Sequence, residues 1–227
     1  MSNIYSEGQV LLINKPYDWT SFDVVRKIRN LLKIKKIGHA GTLDPLATGL
    51  LILCTGKFTK KINEYMTQEK EYIGTIILGA TTSTYDLESI PENFKDCSHI
   101  TENDVAEAAK TFTGNIMQVP PIYSAIKKDG KRAYEFARKG QDIELEPRKI
   151  TITDFSTALN YPEVHFKIVC STGTYIRSIA NDLGVKLGCG GYLSALCRTR
   201  IGNFHLKDAW TMEEAEIKIN ESLHQNG

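Results

Sequence analysis

One carboxylate, Asp44, stands at the centre of a glycine-rich segment from Gly38 to Gly49 with the sequence GHAGTLDPLATG. Its three glycines allow backbone conformations that other residues avoid, and Pro45 disfavours a helical conformation at Asp44. Such a loop can present a carboxylate to a substrate. Asp before Pro is also typical of a helix start, with Asp44 as the N-cap and Pro45 as the first helical residue. Taken alone, the dipeptide favours the cap, because caps are commoner than catalytic carboxylates.

The elements on either side of this loop must hold it in place. The apolar run Leu50–Cys54 after the loop predicts a strand, and Gln9–Asn14 predicts another. A turn at Trp19-Thr20-Ser21 then leads to an amphipathic helix from Phe22 to Leu32. Lys15 follows the first strand, where the sequence alone favours an ordinary surface lysine.

The rest of the chain mixes strands with fewer clear helices. Strands are predicted at 71–78, which includes Tyr72, and at 149–154, 155–159 and 165–170, while helices are predicted at 105–112, 178–187 and 212–223. This mixture predicts an α+β fold with a mixed, largely antiparallel sheet, helices and long loops around one central cleft. Residues 87–101 are acidic and are expected to form a surface connection.

A basic segment lies between residues 118 and 148. Its cations include Lys127, Arg132 and Arg138, and they alternate with the aromatic residues Tyr123, Tyr134 and Phe136. Cations can follow a phosphate backbone, and aromatic rings can stack on bases. The segment therefore predicts an RNA-binding surface, although charge runs are also common on ordinary solvated faces.

Composition excludes several classes of protein. With 227 residues and 41% hydrophobic content, the chain is long enough for a globular core. The longest uncharged apolar runs are too short to span a bilayer, so we expect a soluble, cytoplasmic protein without a membrane partner. Five scattered cysteines without a C-x-x-C pair predict free thiols and no metal site. The net charge of +1 argues weakly against nucleic-acid binding, but the cations and acids are segregated along the chain.

Five motifs follow one another along the chain: INKPYDWTS (13–21), GHAGTLDPLATG (38–49), QVPPIYSAIK (118–127), CSTGTYIR (170–177) and LCRTR (196–200). In this order they resemble the motifs of the TruB family, the bacterial tRNA pseudouridine synthases that isomerise a uridine in the T-loop. The resemblance covers roughly residues 10–205, and the agreement in order makes a chance match improbable.

The resemblance implies roles for the residues that match the family motifs. Asp44 would be the nucleophile, and Arg177 would pair with it and keep it ionised. Tyr72 would stack on the flipped uracil, and Leu196 would line its pocket. The resemblance leaves open whether Asp44 attacks the uracil ring or the ribose C1′.

Other matched residues would contact the RNA. His39 would occupy the space near the vacated base, and Tyr175 would contact the substrate. Lys15 would lie near the active site or the RNA. Unaided, the sequence favours ordinary positions for several of these residues: a surface loop for His39, a half-buried strand position for Tyr72 and the core for Leu196.

The resemblance also implies an organisation and a partner. We expect residues 1–227 to form a single catalytic domain with a thumb-like RNA-binding insertion at about 120–148, and without the separate C-terminal RNA-binding domain of many family members. The partner would be the T-arm stem-loop of tRNA; no protein partner and no cofactor are predicted. Thr172 departs from the family, which often has a basic residue there.

Two other functions compete with this prediction. The chain could be an RNA-binding chaperone that folds tRNA without turnover. It could also be a glycosylase or glycoside hydrolase built around Asp44. Hydrolysis requires a positioned water and usually a second carboxylate, and the loop has no acidic residue beside Asp44.

Overall fold

The structure is a computed structural model that describes residues 4–124, 126–128, 130–137 and 143–225. Within these residues the strands are β1 (Val10–Lys15), β2 (Ile37–Ala40), β3 (Thr48–Thr55), β4 (Lys70–Leu78), β5 (Gly114–Gln118), β6 (Lys127–Lys128), β7 (Lys131–Arg132), β8 (Arg148–Asn160), β9 (Glu163–Cys170), β10 (Gly191–Ile201) and β11 (Phe204–His205). The α-helices are α1 (Ile4–Glu7), α2 (Ser21–Leu32), α3 (Ile62–Met66), α4 (Glu102–Lys110), α5 (Ala133–Ala137), α6 (Ile176–Lys186) and α7 (Met212–Gln225). Short 3₁₀ helices cover Gly56–Lys61 and Leu206–Asp208.

The chain divides into two compact units, and the first comprises Met1–Tyr72 and Leu196–Gly227. Within it, β3 pairs antiparallel with β1, from Val10↔Cys54 to Lys15↔Gly49, and antiparallel with β2. The last part of β10 joins β3 in parallel at Cys197↔Thr48. The first residues of β4 also belong to this unit, and they contact the end of β10 through side-chain bonds.

Strand β3 is buried on both faces, which explains its continuous apolar sequence. Successive side chains of a strand point to opposite faces, so Leu51 and Leu53 share one face while Leu50, Ile52 and Cys54 share the other. The first face packs with residues of β1, α2 and α7: Leu11, Ile13, Val24, Val25, Ile28, Leu32, Met212, Ala215 and Ile219. The second face packs with Ala40, Tyr65 and Ile201.

Helix α2 starts where the sequence predicts. Thr20 accepts a hydrogen bond from the backbone N–H of Asp23, and the Asp23 carboxylate accepts one from the N–H of Thr20, which is a complete capping box. The same arrangement starts α4, with Thr101 and Asp104. These caps satisfy backbone donors that have no partner inside a helix.

The second unit comprises Ile73–Ala195. Its strands follow the order β10, β4, β9, β8 and β5, where β8 and β9 form a long antiparallel pair from Ile152↔Cys170 to Asn160↔Glu163. Helix α4 packs against β8. A five-residue connection after β9 leads to α6, so residues 171–175 lie between a buried strand and a helix N-terminus.

The predicted α+β fold with a largely antiparallel sheet is confirmed, as are the strands around the Asp44 loop and the predicted helices. The five cysteines are free thiols, as predicted. No helix in the described residues is long and apolar enough to cross a membrane. The organisation as one catalytic domain stays a prediction.

Candidate active site

Asp44 lies in the loop that joins β2 to β3, and its side chain is half-buried. Pro45 and Leu46 form a turn, in which the N–H of Ala47 donates to the carbonyl of Asp44 at 3.1 Å. The chain then enters β3 at Thr48. Because no helix follows Pro45, the alternative in which Asp44 is a helix N-cap is wrong. The loop presents a carboxylate instead.

Lys15 lies beneath this loop and fixes it. Its Nζ donates to the carbonyls of Pro16 at 2.8 Å, Trp19 at 2.5 Å and Pro45 at 3.0 Å, and its side chain is fully buried. Since an ammonium has three protons, these carbonyls use all of its donors. Two further contacts flank Asp44: the N–H of Asp18 donates to the Pro45 carbonyl, and the N–H of Leu43 donates to Ser21 Oγ.

Burial lowers the pKa of Lys15 from its ordinary value of 10.5 to about 8, and the negative charge of Asp44 is the largest effect that opposes this shift. No carboxylate lies within 4.0 Å of Lys15 Nζ in the described part of the chain. Its charge therefore acts on Asp44 through space. The predicted contact between Lys15 and RNA does not fit a side chain with no exposed surface, so we correct it to a loop-anchoring role.

The end of the loop is held against β10 by a close backbone approach. Gly49 has φ 104°, and a Cβ at this position would lie 2.4 Å from the carbonyl oxygen of Arg198. Arg198 is itself buried, and it donates to the carbonyls of Leu50 at 2.8 Å and Gly41 at 3.0 Å. It therefore joins both ends of the Asp44 loop to one strand.

Leu196 lies next to this junction. Its carbonyl accepts a hydrogen bond from Thr48 Oγ1 at 3.3 Å, and its side chain is half-buried. The sequence alone favoured a core position, whereas the half-buried side chain at the end of the loop suits the wall of a pocket. The structure thus brings Leu196 and the Asp44 loop together within the first unit.

His39 lies on β2, opposite Leu53 of β3. Burial lowers the pKa of His39 below its usual 6.5, and the positive charge of Arg198 adds to this effect. The imidazole is therefore neutral at neutral pH. Its Nδ1 is buried and has no hydrogen-bond partner among the described atoms, which leaves one polar atom for a ligand to satisfy.

Tyr72 lies on β4 and is buried. The residues around it are tied to the end of β10, where Thr199 Oγ1 donates to Glu71 Oε1 at 2.8 Å and Arg200 pairs with Glu69 at 2.9 Å. Glu71 and Tyr72 point to opposite faces of the strand. The contacts of Glu69 and Glu71 with β10 thus fix the start of β4, and the ring of Tyr72 lies on the face opposite Glu71.

Arg177 lies in the first turn of α6 and is buried in the second unit. Its Nε is 3.5 Å from Asp86 Oδ2, and its other nitrogens donate to the carbonyls of Thr84 at 3.0 Å and Tyr123 at 3.1 Å. Asp86 is also buried and accepts from Thr84 Oγ1 at 2.6 Å and from the N–H of Glu88 at 3.0 Å. A buried ion pair with several added hydrogen bonds holds a guanidinium in one orientation.

Tyr175 is the N-cap residue of α6, and its backbone is held by one amide side chain. The N–H of Tyr175 donates to Gln118 Oε1 at 2.8 Å, and Gln118 Nε2 donates to the Tyr175 carbonyl at 3.0 Å. Ser178 Oγ donates to the carbonyl of Val119 at 3.0 Å. Residues 118–123 therefore fix the helix start that carries both Tyr175 and Arg177.

The basic segment contains a short hairpin in which Lys127 pairs with Arg132 and Lys128 pairs with Lys131. Helix α5 follows it directly. Arg138, the third predicted RNA-binding cation, lies outside the described residues. The thumb-like role of this segment stays a prediction.

Sequence reasoning missed three buried polar residues that hold the site: Arg198, Asp86 and Gln118. Arg198 belongs to a run of charged and polar residues that resembles an exposed strand. A local signal exists for Asp86, because Thr84-x-Asp86 is typical of a turn closed by side-chain hydrogen bonds. Gln118 gives no such signal, since its partner lies far away in the sequence.

Comparison with known proteins places these features in one family. Residues 29–176 match the TruB family pseudouridylate synthase N-terminal domain, and residues 177–223 match the tRNA pseudouridylate synthase B C-terminal domain. The chain is similar to a tRNA pseudouridine synthase B of Flavobacterium johnsoniae, with 54% identity over 90% of this chain and 93% of the relative. A protein of the same name from Phocaeicola vulgatus is 50% identical over 92% of each chain.

A solved Cbf5-Nop10-Gar1 complex contains a chain with the same fold. It matches 98% of this chain with a TM-score of 0.77 and 26% identity, and this chain spans 57% of its length. The family models together cover most of the sequence. The Asp44 loop and the start of α6, with Tyr175 and Arg177, lie inside them. The chain therefore belongs to the TruB family of pseudouridine synthases.

Proposed function

We propose that this protein isomerises uridine to pseudouridine in the T-loop of tRNA, with Asp44 as the nucleophile. Relatives that carry the name tRNA pseudouridine synthase B cover nearly the whole chain. The observation that carries the proposal is the Asp44 loop itself. Asp44 is half-buried and lies between Leu43, whose N–H donates to Ser21 Oγ, and Pro45, whose carbonyl accepts from Lys15 Nζ. Lys15 donates only to carbonyls.

The reaction breaks the bond between N1 of uracil and C1′ of the ribose and forms a bond between C5 and C1′. The proton on C5 is lost and N1 gains one, so the composition of the RNA does not change. The carboxylate of Asp44 adds either to the uracil ring or to C1′ and is released again when the new bond is complete. No water enters the product, which separates this reaction from hydrolysis.

Neighbouring residues would receive the flipped base. Tyr72 would stack on the uracil, and Leu196 would form an apolar wall of its pocket. His39, neutral and with a buried Nδ1, would hydrogen-bond or stack where the base has left the RNA. Tyr175 would contact the substrate, and Arg177 would be the cation that keeps Asp44 ionised.

The basic segment would bind the T-arm stem-loop. Lys127 and Arg132 lie on paired strands of one hairpin, which suits contacts to successive phosphates. Arg138 would extend this surface.

The proposal is tested by tritium release from T-arm stem-loop RNA labelled at C5 of uracil. Wild-type protein and an Asp208→Asn control, in which an exposed carboxylate is changed, should release tritium, whereas Asp44→Asn should bind the RNA without release. Release by Asp44→Asn would refute the role of Asp44.

The same samples separate the two competing functions. Free uracil in the products would establish a glycosylase. Binding and refolding of tRNA by wild type without any tritium release would establish an RNA chaperone.

A further inference from the structure

The solvent-facing side of α2 has a distinctive composition. Phe22, Arg26, Arg29, Asn30 and Lys33 follow one another at helical spacing, so they share one face. The opposite face is buried in the core of the first unit. From Phe22 to Lys33 this face is about 16 Å long, at 1.5 Å per residue.

Two depressions lie beside residues of this face and share Asn30 as a lining residue. One has a volume of about 450 Å³ and is lined by Asp18, Trp19, Asp23, Arg26, Lys27 and Asn30. The other has a volume of about 620 Å³ and is lined by Arg29, Asn30, Lys33, Ile34 and Lys35. We name these two adjacent depressions together the α2 groove.

The two halves of the α2 groove differ in charge. In the first half, Arg26 pairs with Asp23 at 2.6 Å, and Lys27 pairs with Glu216 at 2.9 Å. In the second half, no carboxylate in the described residues lies within 4.0 Å of Arg29, Lys33 or Lys35. Three uncompensated cations therefore line one end. Favourable interaction with the helix dipole accounts for cations in the last turn but not for Lys35, which lies beyond it.

The other end of the α2 groove adjoins the Asp44 loop. Ser21 and Asp18 make the backbone contacts to Leu43 and Pro45 on either side of Asp44. Two aromatic residues beside these anchors are unusually exposed, Tyr17 at 58% and Phe22 at 59%. Aromatic rings next to a reacting base, followed by cations farther away, match the order in which an RNA strand presents bases and phosphates.

We propose that the α2 groove binds a strand of the substrate RNA. Tyr17 and Phe22 stack on unpaired bases next to the target uridine, and Arg29, Lys33 and Lys35 bind phosphates of the same strand. The proposal rests on the proposed function, because that function supplies the RNA. It adds a second RNA-binding surface to the one predicted for the basic segment at 120–148.

The phosphate contacts are tested by salt-dependent binding of full-length tRNA. The test variant is Arg29→Gln/Lys33→Asn/Lys35→Gln, where Asn suits the left-handed backbone at residue 33, which has φ 53°. The control is Lys110→Gln/Lys186→Gln/Lys207→Gln, which removes three exposed lysines elsewhere. Each phosphate contact contributes about 0.7–0.9 to the slope of log K against log salt.

We expect the slope of the test variant to fall by about 2 and its affinity at about 0.1 M salt to fall at least tenfold, while the control stays close to wild type. Thermal unfolding should be unchanged, because the substituted side chains reach solvent. A slope equal to that of wild type, or an equal loss in the control, would overturn the assignment of the phosphate contacts.

The aromatic end needs a separate variant, Tyr17→Ala/Phe22→Ala. Loss of stacking should weaken RNA binding about fivefold or more without changing the salt slope. An unchanged affinity would overturn the stacking role. A wild-type protein that binds tRNA but does not isomerise uridine would refute the proposed function and leave the groove assignment to the binding data.

Discussion

Replacing Gly49 by alanine should break the junction that holds the end of the Asp44 loop. Gly49 combines two constraints: a positive φ of 104° and a backbone approach so close that a Cβ would lie 2.4 Å from the Arg198 carbonyl oxygen and 2.7 Å from its nitrogen. These atoms belong to the backbone of the paired strand, so they cannot rotate away. Strand β3 and strand β10 must separate to admit the methyl group.

The two constraints can be measured separately, because Gly114 has nearly the same φ, 95°, and open space where its Cβ would be. The positive φ costs an alanine about 1–2 kcal/mol at either position. Overpacking adds about 1–3 kcal/mol at Gly49 alone. The gain from restricting the unfolded chain is common to both substitutions and cancels in the comparison.

The assay is urea unfolding of wild type, Gly49→Ala and Gly114→Ala, with the free energy of unfolding obtained by linear extrapolation. Gly49→Ala should lose about 1–3 kcal/mol more than Gly114→Ala. Single-turnover tritium release from the folded proteins should fall for Gly49→Ala only, since Thr48 and Leu196 lie at this junction. Equal losses of stability for the two variants would refute the argument from the close approach.

Two further predictions concern buried charges. Burial lowers the pKa of Lys15 to about 8, so the folded protein binds fewer protons than the unfolded chain between pH 8 and 10.5. The free energy of unfolding of wild type minus that of Lys15→Met should therefore rise by about 1.4 kcal/mol per pH unit in this window. If urea unfolding at several pH values gave a constant difference, the burial argument would be contradicted. Asp86→Asn removes the carboxylate that lies 3.5 Å from the buried Arg177 guanidinium and should cost about 3 kcal/mol in urea unfolding, against less than about 0.5 kcal/mol for the exposed Asp96→Asn. An effect of Asp86→Asn as small as that of Asp96→Asn would contradict the argument from the buried ion pair.

Local sequence signals predicted most of the fold. The apolar run after Gly49 predicted β3, and the Thr-x-x-Asp patterns at Thr20 and Thr101 lie at helix starts because capping depends only on neighbouring residues. Motif resemblance supplied the family and the candidate site residues. Neither source requires knowledge of how distant segments pack.

The burial of charged residues could not be predicted in the same way. Lys15 and Arg198 are of types that are usually exposed, and both bond carbonyls that are distant in the sequence: Pro45 is 30 residues from Lys15, and Leu50 is 148 residues from Arg198. Because every residue has a backbone carbonyl, the sequence does not indicate which carbonyls will accept these hydrogen bonds. Asp86 and Arg177 are likewise joined only by the fold of the second unit. The sequence could single out Asp44 as a candidate carboxylate but not the buried groups that hold its loop.

The way Lys15 is bonded bears on how Asp44 could react. A lysine that donated directly to Asp44 would lower the energy of the carboxylate and occupy one of its oxygens, which would weaken a nucleophile. Lys15 instead gives its protons to the carbonyls of Pro16, Trp19 and Pro45 and acts on Asp44 only as a nearby positive charge. One buried ammonium thus anchors the loop, and because its protons go to carbonyls it does not occupy the oxygens of Asp44.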